Sequence, residues 1–188
     1  SCLYGTLNRG GRILELDANQ IVLERCKRNL KINSINADIV NIAVGDKKRK
    51  VSFNIPENRH SLASLGDIGS RRNDVETIDI EMDTLEAILD ANNLEQVDFM
   101  KIDIEGYEAK VFQSISPKVA KRIKSFVFEY SLDNLEQCGS SKEDLDYIER
   151  LNQFELFGWM SKLGKFSLWI LLNLFLSGKA RFLVNKKA

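Results

Sequence analysis

A single histidine, two prolines and three cysteines are all that this chain of 188 residues offers of three residue types that often announce chemistry or architecture. With His60 alone available, a histidine-rich metal centre is excluded, and a Ser-His-Asp triad survives only if His60 is its base. Cys2, Cys26 and Cys138 are odd in number and far apart, without a CxxC pair or a clustered histidine partner. No metal site is expected, and a reduced, intracellular chain is the simplest reading. Too few prolines and no Ser/Gly-rich linker leave no visible domain boundary, and there is no internal repeat. Residues 1–188 therefore read as one domain of ordinary size. Neither charge sign dominates, since 27 basic residues balance 27 acidic ones. That balance argues in neither direction about nucleic acid, and no nucleic-acid partner is expected.

The apolar stretch FSLWILLNLFL, Phe166 to Leu176, falls well short of the ~20 residues that span a bilayer. Nothing after Glu155 is acidic, whereas Lys162, Lys165, Lys179, Arg181, Lys186 and Lys187 follow it. Two readings of this region stand side by side. A nearly all-round apolar helix packs across a sheet edge, with RFLV as the final strand. Alternatively, the same helix, flanked by basic residues, makes peripheral contact with a membrane surface. The opening SCLYGTLNRGG has no basic region leading into an apolar stretch, so no signal peptide is read there. The expected location is cytoplasmic, with membrane association if the second reading holds.

Periodicity supplies the elements. RILELD, Arg12 to Asp17, is a short apolar run bounded by Gly10-Gly11 and by Asn19, which can cap a helix starting at Gln20. Gln20 to Lys31 places Ile21, Val22, Cys26 and Leu30 near one face of an amphipathic helix. DIVNIAV, Asp38 to Val44, returns to strand character and breaks at Gly45-Asp46. VSFNI, Val51 to Ile55, and VETIDIEM, Val75 to Met82, both alternate, with a polar loop between them. Asp83 and Glu86 have the spacing of a capping box for a helix carrying Leu85, Ile88 and Leu89. VDFMKID then reads as a strand, Tyr107 to Ile115 as a helix burying Val111, Phe112 and Ile115, and SFVFEY as a further strand. A helix near Lys142 to Asn152, the strand-like FELFGW and RFLV close the pattern. Strands alternating with helices predict an α/β sandwich with a mostly parallel sheet.

In such a sheet ligands bind beyond the carboxyl ends of the strands. Three acids end three strands: Asp17 closes RILELD, Asp103 closes VDFMKID and Glu129 closes SFVFE. A carboxylate at the position of Asp17 accepts hydrogen bonds from ribose hydroxyls in nucleotide-binding folds; capping of the Gln20 helix is the competing use. The glycine turn that cradles such a nucleotide lies ~20 residues earlier. Counting back from Asp17 runs past Ser1. The expectation is a domain without its first strand and glycine loop.

The segment VDFMKIDIEGYEAKVFQSI resembles the signature of the FkbM-type methyltransferases, with its D-x-x-K-I-D-x-E-G-x-E core leading into an apolar helix. ILELDAN, NIAVGD, DTLEAIL and the serine-containing SLASL loop are similar to family segments in the same order. The similarity runs from about Gly10 to Glu129 and resumes weakly at ARFLV. It implies a Rossmann-like class I fold and S-adenosylmethionine as cofactor. It also implies O-methylation of a hydroxyl on a sugar, glycan or related small metabolite, lipid-linked if the membrane reading holds. Carried over by position, Asp17 and Asn19 fall at the ribose, and Val44, Gly45 and Asp46 near the adenine edge. Asp103, Glu105 and Glu108 are the signature acids.

Methyl transfer to an alcohol needs alignment and a base for the hydroxyl proton. Asp103 is the first candidate and His60 the second. Ser64, Glu105, Glu108 and Glu129 are candidates for the acceptor side. Glu105 and Glu108 have a second use, since acids in a first helical turn bind its free amides. Gly106 permits a tight passage from strand to helix. Lys101 pairs with a neighbouring acid or snorkels, and carries no assigned chemistry. Two other classes compete with the enzyme reading: a non-catalytic Rossmann-like module serving as an interaction surface, and a nicotinamide-dependent enzyme. The second lacks a hydride-transfer candidate.

Overall fold

In the computed structural model, which describes residues 10–56, 75–129, 131–145, 154–156 and 180–185, the run RILELD forms β1, Leu14–Asp17. Helix α1, Gln20–Ile32, comes directly after it because Asn19 caps it, its side chain accepting the Ile21 N–H at 3.0 Å. Leu23 and Leu30, seven residues apart, are the buried centre of its inner face. Ile21, expected inside, is exposed, because the face centres on Leu23 and Leu30.

β2, Asp38–Asn41, runs parallel to β1 with Leu14 opposite Asp38 and Asp17 opposite Asn41. The expected single strand from Asp38 to Val44 divides at Ile42. Its second half, β3 (Ala43–Gly45), joins a separate three-stranded sheet of order β3-β5-β4. There β4, Arg49–Pro56, pairs antiparallel with β5, Val75–Thr84, placing Val51 against Ile80 and Phe53 against Ile78. The period-2 pattern is borne out: Phe53, Ile55, Ile80 and Met82 are buried while Ser52, Asp79 and Glu81 are exposed.

Gly45 is required by that packing. A Cβ there would lie 2.2 Å from the Met82 sulfur, and Met82 is 0% exposed, so the thioether has nowhere to swing. Gly45→Ala is expected to cost about 1–3 kcal/mol by overpacking, read as a lower midpoint in urea unfolding.

These elements belong to one compact unit, Ser1–Asp83; a second spans Thr84–Ala188. It opens with α2, Leu85–Ala91, which buries Leu85, Ile88 and Leu89 as the sequence predicts. The cap differs from expectation. β5 remains extended through Thr84, so the Thr84 hydroxyl takes the Ala87 N–H at 3.2 Å, and Asp83 instead lies 3.7 Å from Lys48. Arg122 secures the far end of α2, with one guanidinium nitrogen 2.5 Å from Asp90 and the other donating to the Leu94 carbonyl.

β6, Met100–Ile102, is shorter than the apolar run around it, since Val97 forms only an isolated bridge to Ile123. Helix α3, Glu108–Ser114, then α4, Pro117–Ala120, lead into β7, Ser125–Glu129, parallel to β6 with Ile102 opposite Phe128. Helices α5, Leu132–Gln137, and α6, Lys142–Leu145, come next. The Phe112 and Phe128 rings meet edge to face at 4.8 Å, among fully buried Val111, Val119, Ile123 and Leu135. β8, Phe154–Leu156, and β9, Ala180–Asn185, complete a sheet of order β6-β7-β9-β8, with β9 antiparallel to both neighbours.

Among the described residues the chain is thus mixed α/β. The mostly parallel expectation holds for β1–β2 and β6–β7 and is corrected for β4–β5, β7–β9 and β8–β9, which are antiparallel. Clean alternation, as in VSFNI and VETIDIEM, suits an antiparallel pair with one face buried, whereas strands of a covered parallel sheet read as near-continuous apolar runs. The segment bearing His60 and Ser64, the remainder of the helix expected from Lys142 to Asn152 and the apolar run Phe166 to Leu176 lie outside the described residues. No described helix is long and apolar enough to cross a membrane.

Candidate functional site

Asp17 is the last residue of β1, at the carboxyl end of a parallel pair, and its carboxylate accepts the Asn19 N–H at 2.7 Å. This is an Asx turn: a short carboxylate satisfies a backbone donor two residues on and fixes the exit from the strand. Asn19 itself is 1% exposed, with its side chain committed to the first turn of α1. Of the two uses read for Asp17, capping of α1 thus falls to Asn19, and Asp17 shapes the loop before the cap.

The segment NIAVGD comes to the same strand end. The Ile42 N–H donates to the Asp17 carbonyl at 3.1 Å, and Asn41 Nδ2 donates to the carbonyls of Asp17 and Ala18, each at 2.9 Å. Asn41 had no role assigned from sequence, although it opens that segment; only the β1–β2 register explains its reach. Val44 sits half-buried in β3, Gly45 lies against Met82, and Asp46 is 3.4 Å from Arg49.

In the second unit the signature builds a loop from Asp103 to Glu108. Asp103 comes just after the last residue of β6 and pairs with Lys101, Nζ to Oδ2 at 2.5 Å, both on the same side of the chain two residues apart. Glu105 and Gly106 take φ of 53° and 102°. Glu105 is therefore in a left-handed turn before the helix; it does not belong to the first helical turn as the acid pattern suggested. Its carboxylate accepts from Asn134 Nδ2 at 2.8 Å, and its carbonyl receives the Cys138 thiol at 3.8 Å. Asn134, 29 positions away, left no sequence signal.

Glu108 is the first residue of α3 and is buried. One carboxylate oxygen accepts the Ile104 N–H and the other the Gly106 N–H, both at 2.9 Å. Of the two uses read for this acid, binding backbone amides is what its oxygens do here. Burial pushes its pKa up, and the nearby Asp103 charge adds to this, while the amide donors pull it down. Burial, and then the Glu108 charge, also push the Cys138 thiol up, with Lys110 opposing.

A raised carboxyl pKa means that the folded chain holds this proton more tightly than the unfolded one. The associated stability is complete below the ordinary glutamate range and is lost as pH rises through the folded value. Urea unfolding in stepped buffers should show that loss in the wild type and its absence in Glu108→Gln, which has no proton to release there.

Glu129 ends β7, beside β6 in the sheet. Among the described residues no group of three His, Cys, Asp or Glu side chains is arranged to hold a metal.

A parallel strand pair with acids at the carboxyl ends, leading into a glycine turn and a short helix, is the setting in which α/β enzymes place their chemistry. A family model described as Methyltransferase FkbM domain matches residues 1–156 of this chain. The chain belongs to the FkbM methyltransferase family. Its match takes in every candidate residue from Asp17 to Glu129 and ends before ARFLV. Neither the curated proteins nor the solved structures offer a match.

Proposed function

We propose that this methyltransferase uses S-adenosylmethionine and methylates a hydroxyl oxygen on a sugar, glycan or related small metabolite. The observation that carries the cofactor assignment is Asp17, a carboxylate ending a parallel strand in a loop already fixed by the Asn19 amide. Ribose hydroxyls donate and a carboxylate accepts, so the chemistry of this position fits the group. When bound, the cofactor supplies a sulfonium-activated methyl for an in-line displacement.

Asp103 acts as the base. It takes the proton of the acceptor hydroxyl as that oxygen bonds to carbon, and Lys101, its Nζ 2.5 Å from Oδ2, holds the carboxylate in place at the strand end. Glu129, which ends the adjacent strand, is the acceptor-side residue of this reading.

Calorimetric titration with S-adenosylhomocysteine, on the chain extended by an upstream strand and glycine loop, tests the reading. A saturable single-site isotherm is expected, weakened roughly 10- to 100-fold in Asp17→Ala, the worth of a hydrogen bond to a charged group. A flat isotherm for the wild type would overturn the cofactor assignment.

A further inference from the structure

We infer that Glu108 is a positioning residue for Asp103, its carboxylate clasping the two amides that set the backbone on the far side of that base. The inference rests on the reading of Asp103 as base for its catalytic meaning, and on geometry for its mechanics.

The amide nitrogen of Ile104 belongs to the peptide that begins at the Asp103 carbonyl. Holding that N–H on a Glu108 oxygen at 2.9 Å therefore fixes the ψ torsion of Asp103. On its amino side Asp103 is held by β6, in register with β7. The base is thus anchored on both sides, one anchor being the sheet and the other a side chain five positions later.

The turn between them would not hold itself. Glu105 and Gly106 both have positive φ; glycine takes it freely, but for Glu105 it persists only where the surroundings impose it. The Ile104 and Gly106 amides, on either side of Glu105, are both directed at one anion. Here the anion is the chain's own: the second Glu108 oxygen takes the Gly106 N–H at 2.9 Å, and Glu108 is 3% exposed. A carboxylate serving only the helix dipole needs neither this burial nor this two-point grip. The titratable groups that interact with it are the Asp103 carboxylate and the Cys138 thiol, on which Lys110 also acts.

The test is NMR on the full chain, without cofactor or acceptor, reading the three-bond couplings that report the Asp103 side-chain rotamer. The wild type should show one rotamer, with the Ile104 and Gly106 amide protons shifted downfield by the carboxylate. Glu108→Gln offers one acceptor where two are needed, so both downfield shifts should diminish and the Asp103 couplings should collapse toward rotamer-averaged values. Couplings that stay those of one rotamer, with changes confined to the two amides, would overturn the inference.

Acid titration of the wild type covers the case in which that variant does not fold. The Glu108 carboxyl resonance, the two amides and the Asp103 couplings should then move in one step, with the Asp103 carboxyl resonance tracked separately. Couplings indifferent to that step would also overturn it. A chain that fails to bind S-adenosylhomocysteine even with the upstream glycine loop restored sinks the proposed function and leaves the clasp standing.

Discussion

Gly106→Ala should lose about 4 kcal/mol or more, a large share of an ordinary domain's stability, read as a large drop in the urea midpoint. Two costs add. At φ of 102° an L side chain is strained by about 1–3 kcal/mol. A Cβ would also stand 2.2 Å from the Asn134 carbonyl oxygen, a backbone atom within α5 that cannot turn aside. Gly139 provides the internal control. Its φ is 70° with nothing near the missing Cβ, so Gly139→Ala should cost only about 1 kcal/mol. Equal costs at the two sites would mean that the approach of α5 to the signature loop contributes nothing.

Asp103→Asn should reduce methyl transfer by about 10²- to 10⁴-fold, the usual contribution of a positioned base, while leaving S-adenosylhomocysteine affinity unchanged. The Lys101 pair is largely solvent-facing and is worth about 1 kcal/mol at most, so the fold should survive the change. Transfer of labelled methyl from S-adenosylmethionine to a panel of free sugars and glycans measures it. Unchanged turnover would remove Asp103 as base and direct attention to His60.

What could be read from the residues was whatever local periodicity encodes. Alternation in VSFNI and VETIDIEM located β4 and β5 and their buried faces, and Leu85, Ile88 and Leu89 located the inner face of α2. Asn19 before Gln20 was legible as a cap because capping is a one-residue affair. The cap at Thr84 was misplaced by one residue because β5 runs on through Thr84, two residues past its register with β4, and local spacing does not show where a strand ends. The break at Ile42 has the same origin, since β2 answers to β1 and β3 to β5.

At the site, the acids were legible as a group but not in their separate duties. Asp103 stood apart as the strand-end acid, but Glu105 and Glu108 are interchangeable on paper. The fold separates them by giving Asp103 a lysine, Glu105 an asparagine from α5 and Glu108 two amides of its own loop. Asn41 and Asn134 went unread because their work is done on carbonyls and carboxylates more than 20 positions away.

The order of the strands in the second unit bears on how the chain is made. β9 is synthesised after both β7 and β8, yet it lies between them and is hydrogen-bonded to each. As the polypeptide leaves the ribosome, β7 can pair early with β6, but its other edge waits for residues 180–185. An edge left open during elongation is a template for wrong pairing. The window of greatest exposure to aggregation and to chaperones therefore falls between the emergence of Glu129 and that of Ala180, and slower translation across that interval should lower the soluble yield.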